Sequence, residues 1–216
     1  MSDALAGYYA RRAGEYDAIY QKPERQDDIR RLGDMVATLL AGQRVLEIAC
    51  GTGFWTRRIA ERAGPITAID ISEEMLAIAR DRLAGHPRVH FLLSDAFRLD
   101  VVEADYSAAF AGFWWSHLKR SQIGGFLDVL HSHLEPGAKV VFADNLYVEG
   151  SSTPISRVDD EGNSYQVRKL ADASRFEVLK NFPTESQFVG AVGERGVNIT
   201  FGRLTYFWCG SYETPS

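Results

Sequence analysis

A chain of 216 residues is the size of one domain, at roughly 100–200 residues per domain. Its 45% hydrophobic and 25% charged residues exclude a wholly disordered protein. Twenty-four basic against 29 acidic residues give a net charge of −5, without the basic footprint of a general nucleic-acid binder. The longest stretch free of Asp, Glu, Lys and Arg, Tyr106–Leu118, is 13 residues, short of the roughly 18 that span a bilayer. No membrane partner is therefore expected. Asp3, Arg11, Arg12 and Glu15 interrupt any apolar run near the N-terminus, so no secretory signal is expected and the cytoplasm is the default compartment. Cys50 and Cys209 make neither a disulfide framework nor a zinc site by themselves.

The chain opens on a tyrosine-rich stretch, with Tyr8, Tyr9, Tyr16 and Tyr20 close together. A helix is expected from about Glu24 to Ala41, where Ile29, Leu32, Val36 and Leu39/Leu40 recur at helical spacing before Gly42. Strands and helices then alternate. Arg44–Ala49 reads as a strand, Phe54–Arg62 as a helix and Pro65–Asp70 as a second strand. Ser72 is a natural cap for the next helix, with Glu73 and Glu74 in its first turn. Val89–Leu93 and Tyr106–Ala111 read as further strands, 119–134 as a helix broken by Glu135-Pro136-Gly137, and Lys139–Ala143 as a fifth strand. This alternation implies a parallel sheet wound by right-handed crossovers. Residues 149–163 read as a loop and the acids Asp159–Glu161 as its solvated part. Ser164–Leu170 and Arg175–Lys180 could pair as a hairpin, Thr184–Arg195 reads as a helix, and Val197–Phe201 with Leu204–Tyr212 as a closing antiparallel pair. The whole is expected to be one α/β domain, with an N-terminal lid over 1–42 and an insertion over 146–180.

The first strand runs into Glu47-Ile-Ala-Cys-Gly51-Thr-Gly53. These glycines allow a sharp turn and a close ligand approach, and the helix that follows offers unpaired N–H groups. Thr56 stands where a dinucleotide fingerprint has its third glycine, which disfavours a nicotinamide cofactor. Asp70, ending the second strand, is placed to accept both hydrogen bonds of a ribose diol; the alternative is a partner for the next helix start. His131 and His133, two apart on a helix, face different ways, and no metal site is expected.

Val-Leu-Glu-Ile-Ala-Cys-Gly-Thr-Gly, then Ala-Ile-Asp, then Ser-Asp95-Ala-Phe, then Leu-Glu-Pro-Gly137, in this order, resembles a class I S-adenosylmethionine-dependent methyltransferase. The details are similar to the small-molecule branch with glycine N-methyltransferases and the ubiquinone/menaquinone methyltransferase-like proteins. The resemblance implies a Rossmann-like, seven-stranded, mostly parallel sheet with helices on both faces and an antiparallel terminal strand. It implies S-adenosyl-L-methionine as cofactor, S-adenosyl-L-homocysteine as product, and a small-molecule acceptor attacked at O, N or C. It places Ala49, Gly51 and Gly53 under the methionine part, Glu47 at its amino group, Asp70 at the ribose, Ile71 and Met75 on the adenosine, and Asp95, Ala96 and Phe97 at the adenine edge. Arg25 resembles the arginine that grips the cofactor carboxylate, Tyr16 and Tyr20 belong to the covering segment, and Gly112 begins a segment beside the transferred methyl. Tyr9, Phe113, Trp114 and Trp115 would enclose the acceptor, with simple core packing the competing reading of each tryptophan. His117 is the candidate general base, with a hydrogen bond at a helix start as its alternative. Other reactions of the same cofactor, such as cyclisation or halide methylation, and a non-enzymatic binding module stay open, as does the oligomeric state.

Overall fold

Apolar residues three and four apart give the first helix, α1 (Gln26–Leu39), one buried face: Ile29, Leu32 and Val36. In the computed structural model, which describes residues 17, 20–169 and 174–216, that face lies on a seven-stranded sheet. Its strands are β1 (Val45–Ile48), β2 (Ile66–Asp70), β3 (Val89–Leu93), β4 (Tyr106–Gly112), β5 (Leu134–Asn145), β9 (Val197–Arg203) and β10 (Phe207–Glu213). They stand in the order β3-β2-β1-β4-β5-β10-β9. The first five are mutually parallel, and β10 runs antiparallel to both β5 and β9. This is the Rossmann-like sheet the resemblance implies.

Side chains alternate across β1. Val45 joins a core with α1, α2 (Phe54–Ile59) and α3 (Glu73–Arg82), whereas Leu46 and Ile48 join a second core with α4 (Ile123–His131) and α5 (Glu185–Val192). The sheet is thus covered on both faces, as its apolar parallel strands require. The chain winds one way from β1 through β2 to β3, then returns to the other side of β1 for β4 and β5. That reversal opens a crevice at the C-terminal ends of β1 and β4, where sheets of this kind bind ligands.

Two expectations change. The helix expected over 119–134 is a 3-10 turn, Arg120–Gln122, followed by α4, which ends at His131. Leu134 continues the helical spacing but pairs with Tyr106 as the first residue of β5, and the register then shifts so that Ala108 faces Lys139. Glu135-Pro136-Gly137 therefore lies within a strand irregularity, where a missing N–H and the left-handed Gly137 are tolerated. Residues 149–163 are not all loop. β6 (Arg157–Val158) pairs with β7 (Ser164–Lys169), which pairs with β8 (Arg175–Leu179), giving a separate three-stranded antiparallel sheet. Asp159 is not merely solvated: its carboxylate accepts from the backbone N–H groups of Glu161 and Asn163 and closes the β6–β7 turn.

The second core leaves no room at Gly210 in β10, where an added Cβ would stand 2.6 Å from the ring of Phe188. Phe188 is itself held among Trp115, Phe142 and Trp208. Gly210→Ala should destabilise the protein by about 1–3 kcal/mol through overpacking. A denaturation midpoint equal to wild type would mean that Phe188 has room to move.

Candidate active site

Three residues in five take left-handed backbone after β1: Ala49, Gly51 and Gly53, at φ 52°, 57° and 73°. The alternation turns the chain from strand to α2 within one short loop. Two acids border it. Asp70, at the end of β2, accepts from the N–H of Gly51 (2.9 Å) and of Ser72 (3.0 Å), so it supports both the glycine loop and the start of α3. Burial nevertheless raises its pKa. Each carboxylate oxygen has one protein donor among these and capacity for another.

Glu47 shares the face of β1 with Val45, toward α2 and Thr56, and is 1% exposed. Burial, with some help from Asp70, raises its pKa to about 8, against the opposing effect of the nearby Thr56 hydroxyl. Among the described residues its Oε2 has no hydrogen-bond partner. A buried acceptor without a donor is unfavourable unless a ligand supplies one.

The N-terminal segment reaches this loop. Asp17 accepts from Thr52 Oγ1 at 2.6 Å and pairs with Arg82 of α3. Tyr20 stacks on Phe54 at 3.9 Å between ring centroids and meets Trp55 and Phe113 edge-on. Tyr9 and Tyr16 lie outside the described residues. Arg25 is buried at the start of α1. Its guanidinium donates to Asn145 Oδ1 (3.4 Å) and Ser151 Oγ (2.9 Å) and lies over Tyr206. It is thus at the junction of α1, β5 and the inserted segment, not an exposed charge.

Farther along the crevice, Asp95 accepts from the N–H of Phe97, Ala96 is buried, and Phe97 packs edge-on against Trp114. Ile71 is half-buried and Met75 buried in the first turn of α3. Gly112 has no room for a Cβ, which would stand 2.9 Å from the ring of Phe110. Phe113, left-handed at φ 60°, lies between Trp55 and Phe207. Trp114 is buried, and among the described residues its Nε1 has no partner. Trp115 packs among Phe142, Phe188 and Trp208, where core packing accounts for it.

His117 closes the turn after β4. Its Nδ1 is 2.9 Å from the carbonyl oxygen of Leu179, so the bond is to the small sheet, not to a helix start. A carbonyl only accepts, so Nδ1 carries the proton and the neutral ring's lone pair is on Nε2. Burial, then the charge of Lys180, lowers the histidine's pKa, with Asp144 opposing. The turn is anchored from below. Lys180 Nζ donates to Ser116 Oγ (2.6 Å) and Asp144 Oδ1 (3.1 Å), and Asp144 Oδ2 accepts from Ser116 N (2.9 Å). Burial pushes Asp144 up, but Lys180, His117 and the Ser116 donors outweigh it and leave its pKa lowered. Sequence reasoning missed Asp17, Asp144 and Lys180, whose partners lie far along the chain. Among the described residues no cluster of His, Cys, Asp and Glu could hold a metal ion, and no helix is long and apolar enough to cross a membrane.

Comparison with known proteins gives these positions a context. Residues 45–137 match a family model described as a methyltransferase domain. The malonyl-[acyl-carrier protein] O-methyltransferase of Serratia marcescens is 32% identical over 143 residues, 65% of this chain and 52% of that protein. The demethylmenaquinone methyltransferase of Clavibacter sepedonicus is 34% identical over 105 residues, 49% of this chain and 42% of that one. The chain spans about half the length of these curated relatives. Among solved structures, DhpI in complex with SAH is matched over 100% of this chain and 99% of that one, at 26% identity and a TM-score of 0.79. DhpI with SAM and HEP is matched over 98% and 99%, at 25% identity and the same TM-score.

The state of Glu47 is measurable. Folding raises its pKa from 4.5 to about 8, so the folded protein holds a proton that the unfolded chain releases. Its contribution is complete below pH 4.5 and is lost as pH rises through 8. Relative to Glu47→Gln, the wild-type protein should lose on the order of 4 kcal/mol of stability between about pH 5 and 8. Denaturant midpoints at both pH values test this. A difference that stays constant with pH would mean that Glu47 is ionised in the folded protein.

Proposed function

We propose that this chain, a class I S-adenosylmethionine-dependent methyltransferase in fold and sequence, moves the cofactor's methyl group to an O, N or C nucleophile of a small molecule. The observation that carries the reading is the pair of buried acids, Glu47 and Asp70, bracketing three left-handed residues at the sheet's switch point. The likeness to a protein solved with SAM and with SAH, over nearly the whole of both chains, supports it.

The residues fit that cofactor. The orphaned Glu47 Oε2 needs a donor, which an ammonium group supplies. Ala49, Gly51 and Gly53 would take the methionine part against their backbone, and the remaining acceptor capacity of Asp70 suits ribose hydroxyls. Ile71, Met75 and the Asp95-Ala96-Phe97 segment would hold the adenosine, with Gly112 bordering it. Arg25, held by Asn145 and Ser151, would serve the cofactor carboxylate. Tyr16 and Tyr20 would close over it from the 1–42 segment. When bound, S-adenosylmethionine supplies a methyl group on a sulfonium and leaves as S-adenosylhomocysteine.

The chain's own task is to hold the acceptor in line with that methyl and to keep water out, which can supply on the order of 7–11 kcal/mol of the barrier. Phe113 and Trp114, with Tyr9 and the 146–180 insertion, would enclose the acceptor. His117 would accept a proton at Nε2 where the nucleophile carries one. Its Nδ1–H bond to Leu179 fixes the ring, and its lowered pKa keeps it ready as an acceptor at neutral pH.

Asp70→Ala should weaken S-adenosylmethionine binding by more than about tenfold in a folded protein, since charge-assisted hydrogen bonds contribute roughly 1.5–3 kcal/mol each. Unchanged affinity by calorimetry would remove the cofactor assignment. His117→Ala should lower turnover about 10²–10⁴-fold with cofactor affinity intact. Wild-type turnover should show no histidine limb between about pH 6 and 8, because the ring titrates below that window. A rise in KM alone would assign His117 to acceptor binding. In the turnover measurements, release of S-adenosylhomocysteine reports methyl transfer, and release of methylthioadenosine would report cyclisation instead.

A further inference from the structure

We propose that Arg168 and Lys180 form the subsite for an anionic group, a carboxylate or a phosphate, on the methyl acceptor. The inference rests on the methyl-transfer reading above and names the substrate class of the same site.

Strand geometry carries it first. In the β7–β8 pair, Gln166 faces Val178 and Arg168 faces Phe176. Side chains alternate, so Ser164, Gln166 and Arg168 share a face with Phe176, Val178 and Lys180. Ser164, Gln166, Val178 and Lys180 are buried and Arg168 and Phe176 are half-buried, while Val167 and Glu177 on the opposite face are exposed. The inward face therefore carries two cations. Its glutamine is used within the sheet: Gln166 accepts from Arg168 at 2.6 Å and donates to the carbonyl oxygen of Thr153. Outward-facing Glu177 pairs with Arg157 instead.

That face is turned toward the C-terminal ends of β4 and β5. Lys180 reaches Asp144 at the end of β5 and Ser116 after β4, and Leu179 holds His117. Arg168 is close enough to act electrostatically on Lys180, on His117 and on Arg25, and it lowers the pKa of all three. Three cations from three elements thus converge on the place where the acceptor would enter. Asp144 acts on Lys180 and His117, and the solvent-facing Glu24, with Tyr206, acts on Arg25. Asp144 is already occupied by Lys180, by Ser116 N and by Asn145. Cations drawn together at buried and half-buried positions repel one another, and an anionic ligand relieves that repulsion through charge-assisted hydrogen bonds. The planar fork of Arg168 suits two oxygens of one such group.

The test uses the intact chain saturated with S-adenosylhomocysteine and titrated calorimetrically with inorganic phosphate and with acetate. Saturable binding of at least one anion is expected, and the stronger of the two identifies the group. Arg168→Gln should weaken it by about tenfold or more while leaving S-adenosylhomocysteine affinity unchanged. Because Lys180→Met alone would strand the Asp144 charge, the paired variant Lys180→Met with Asp144→Asn tests the lysine, and it too should lose anion binding. In a turnover screen, acids should be methylated faster than their primary amides. Absence of anion binding, binding indifferent to Arg168, or a preference for the amides would each overturn the proposal. A loss of S-adenosylhomocysteine affinity in Arg168→Gln would also overturn it, since the cations would then serve the cofactor's own carboxylate. Failure of the wild-type chain to bind S-adenosylmethionine at all would overturn the methyl-transfer reading itself.

Discussion

The buried ion pair between Lys180 and Asp144 fixes where the small sheet stands on the large one. Taking either charge out of water is unfavourable by several kcal/mol, and their attraction offsets this only when the remaining donors and acceptors are also met. They are met here by Ser116, which contributes both its N–H and its hydroxyl, and by Asn145. Asn181, the next residue after the lysine, donates its N–H to Ser116 O and its side chain to Leu118 O. The end of β5, the turn after β4 and the end of β8 form one polar unit, in which no member is stable at its depth without the others.

That unit explains the geometry around His117. The histidine lies between Ser116 and Leu118, both bonded to the strap that follows β8, and its ring is bonded to Leu179. Position and tautomer are therefore set together. On the other side of the crevice the same principle operates with different chemistry. Asp70 joins β2 to the glycine loop, and Asp17 joins the N-terminal segment to Thr52 and Arg82. Between the two polar joints runs an aromatic layer, in which Tyr20, Phe54, Trp55, Phe113 and Phe207 touch ring to ring. Such a layer excludes water without adding charge, which suits the proposed reaction at a sulfonium.

Legibility in the sequence followed the range of the interaction. Glu47, Gly51, Gly53 and Asp70 could be read because a strand end, a glycine turn and a helix start are local events, and all lie within 24 residues. The sheet was readable for the same reason: its crossovers alternate at regular spacing. The spacing predicts a helix through 134 because Leu134 repeats the spacing of Ile123, Leu127 and Leu130, although it enters the sheet opposite Tyr106. Helical period cannot report that a residue has changed layer. Lys180 and Asp144 are 36 residues apart, and Thr52 and Asp17 are 35 apart, with no motif at either end. Nothing in the spacing of Arg168 distinguished it from a surface arginine, because facing Phe176 on the inward side depends on the register of β7 against β8.

The small sheet leaves the large one after Asn145 and returns at Thr184, which caps α5. Among the described residues, no strand of the large sheet pairs with β6, β7 or β8. The segment is therefore a cassette: its length and sequence can drift without disturbing any rung of the seven-stranded ladder, provided Lys180 and Asn181 travel with it. Selection could thus retune the guest while leaving the host intact, and a chimera that exchanges residues 146–181 between two such chains should inherit its taste from the graft and its architecture from the recipient.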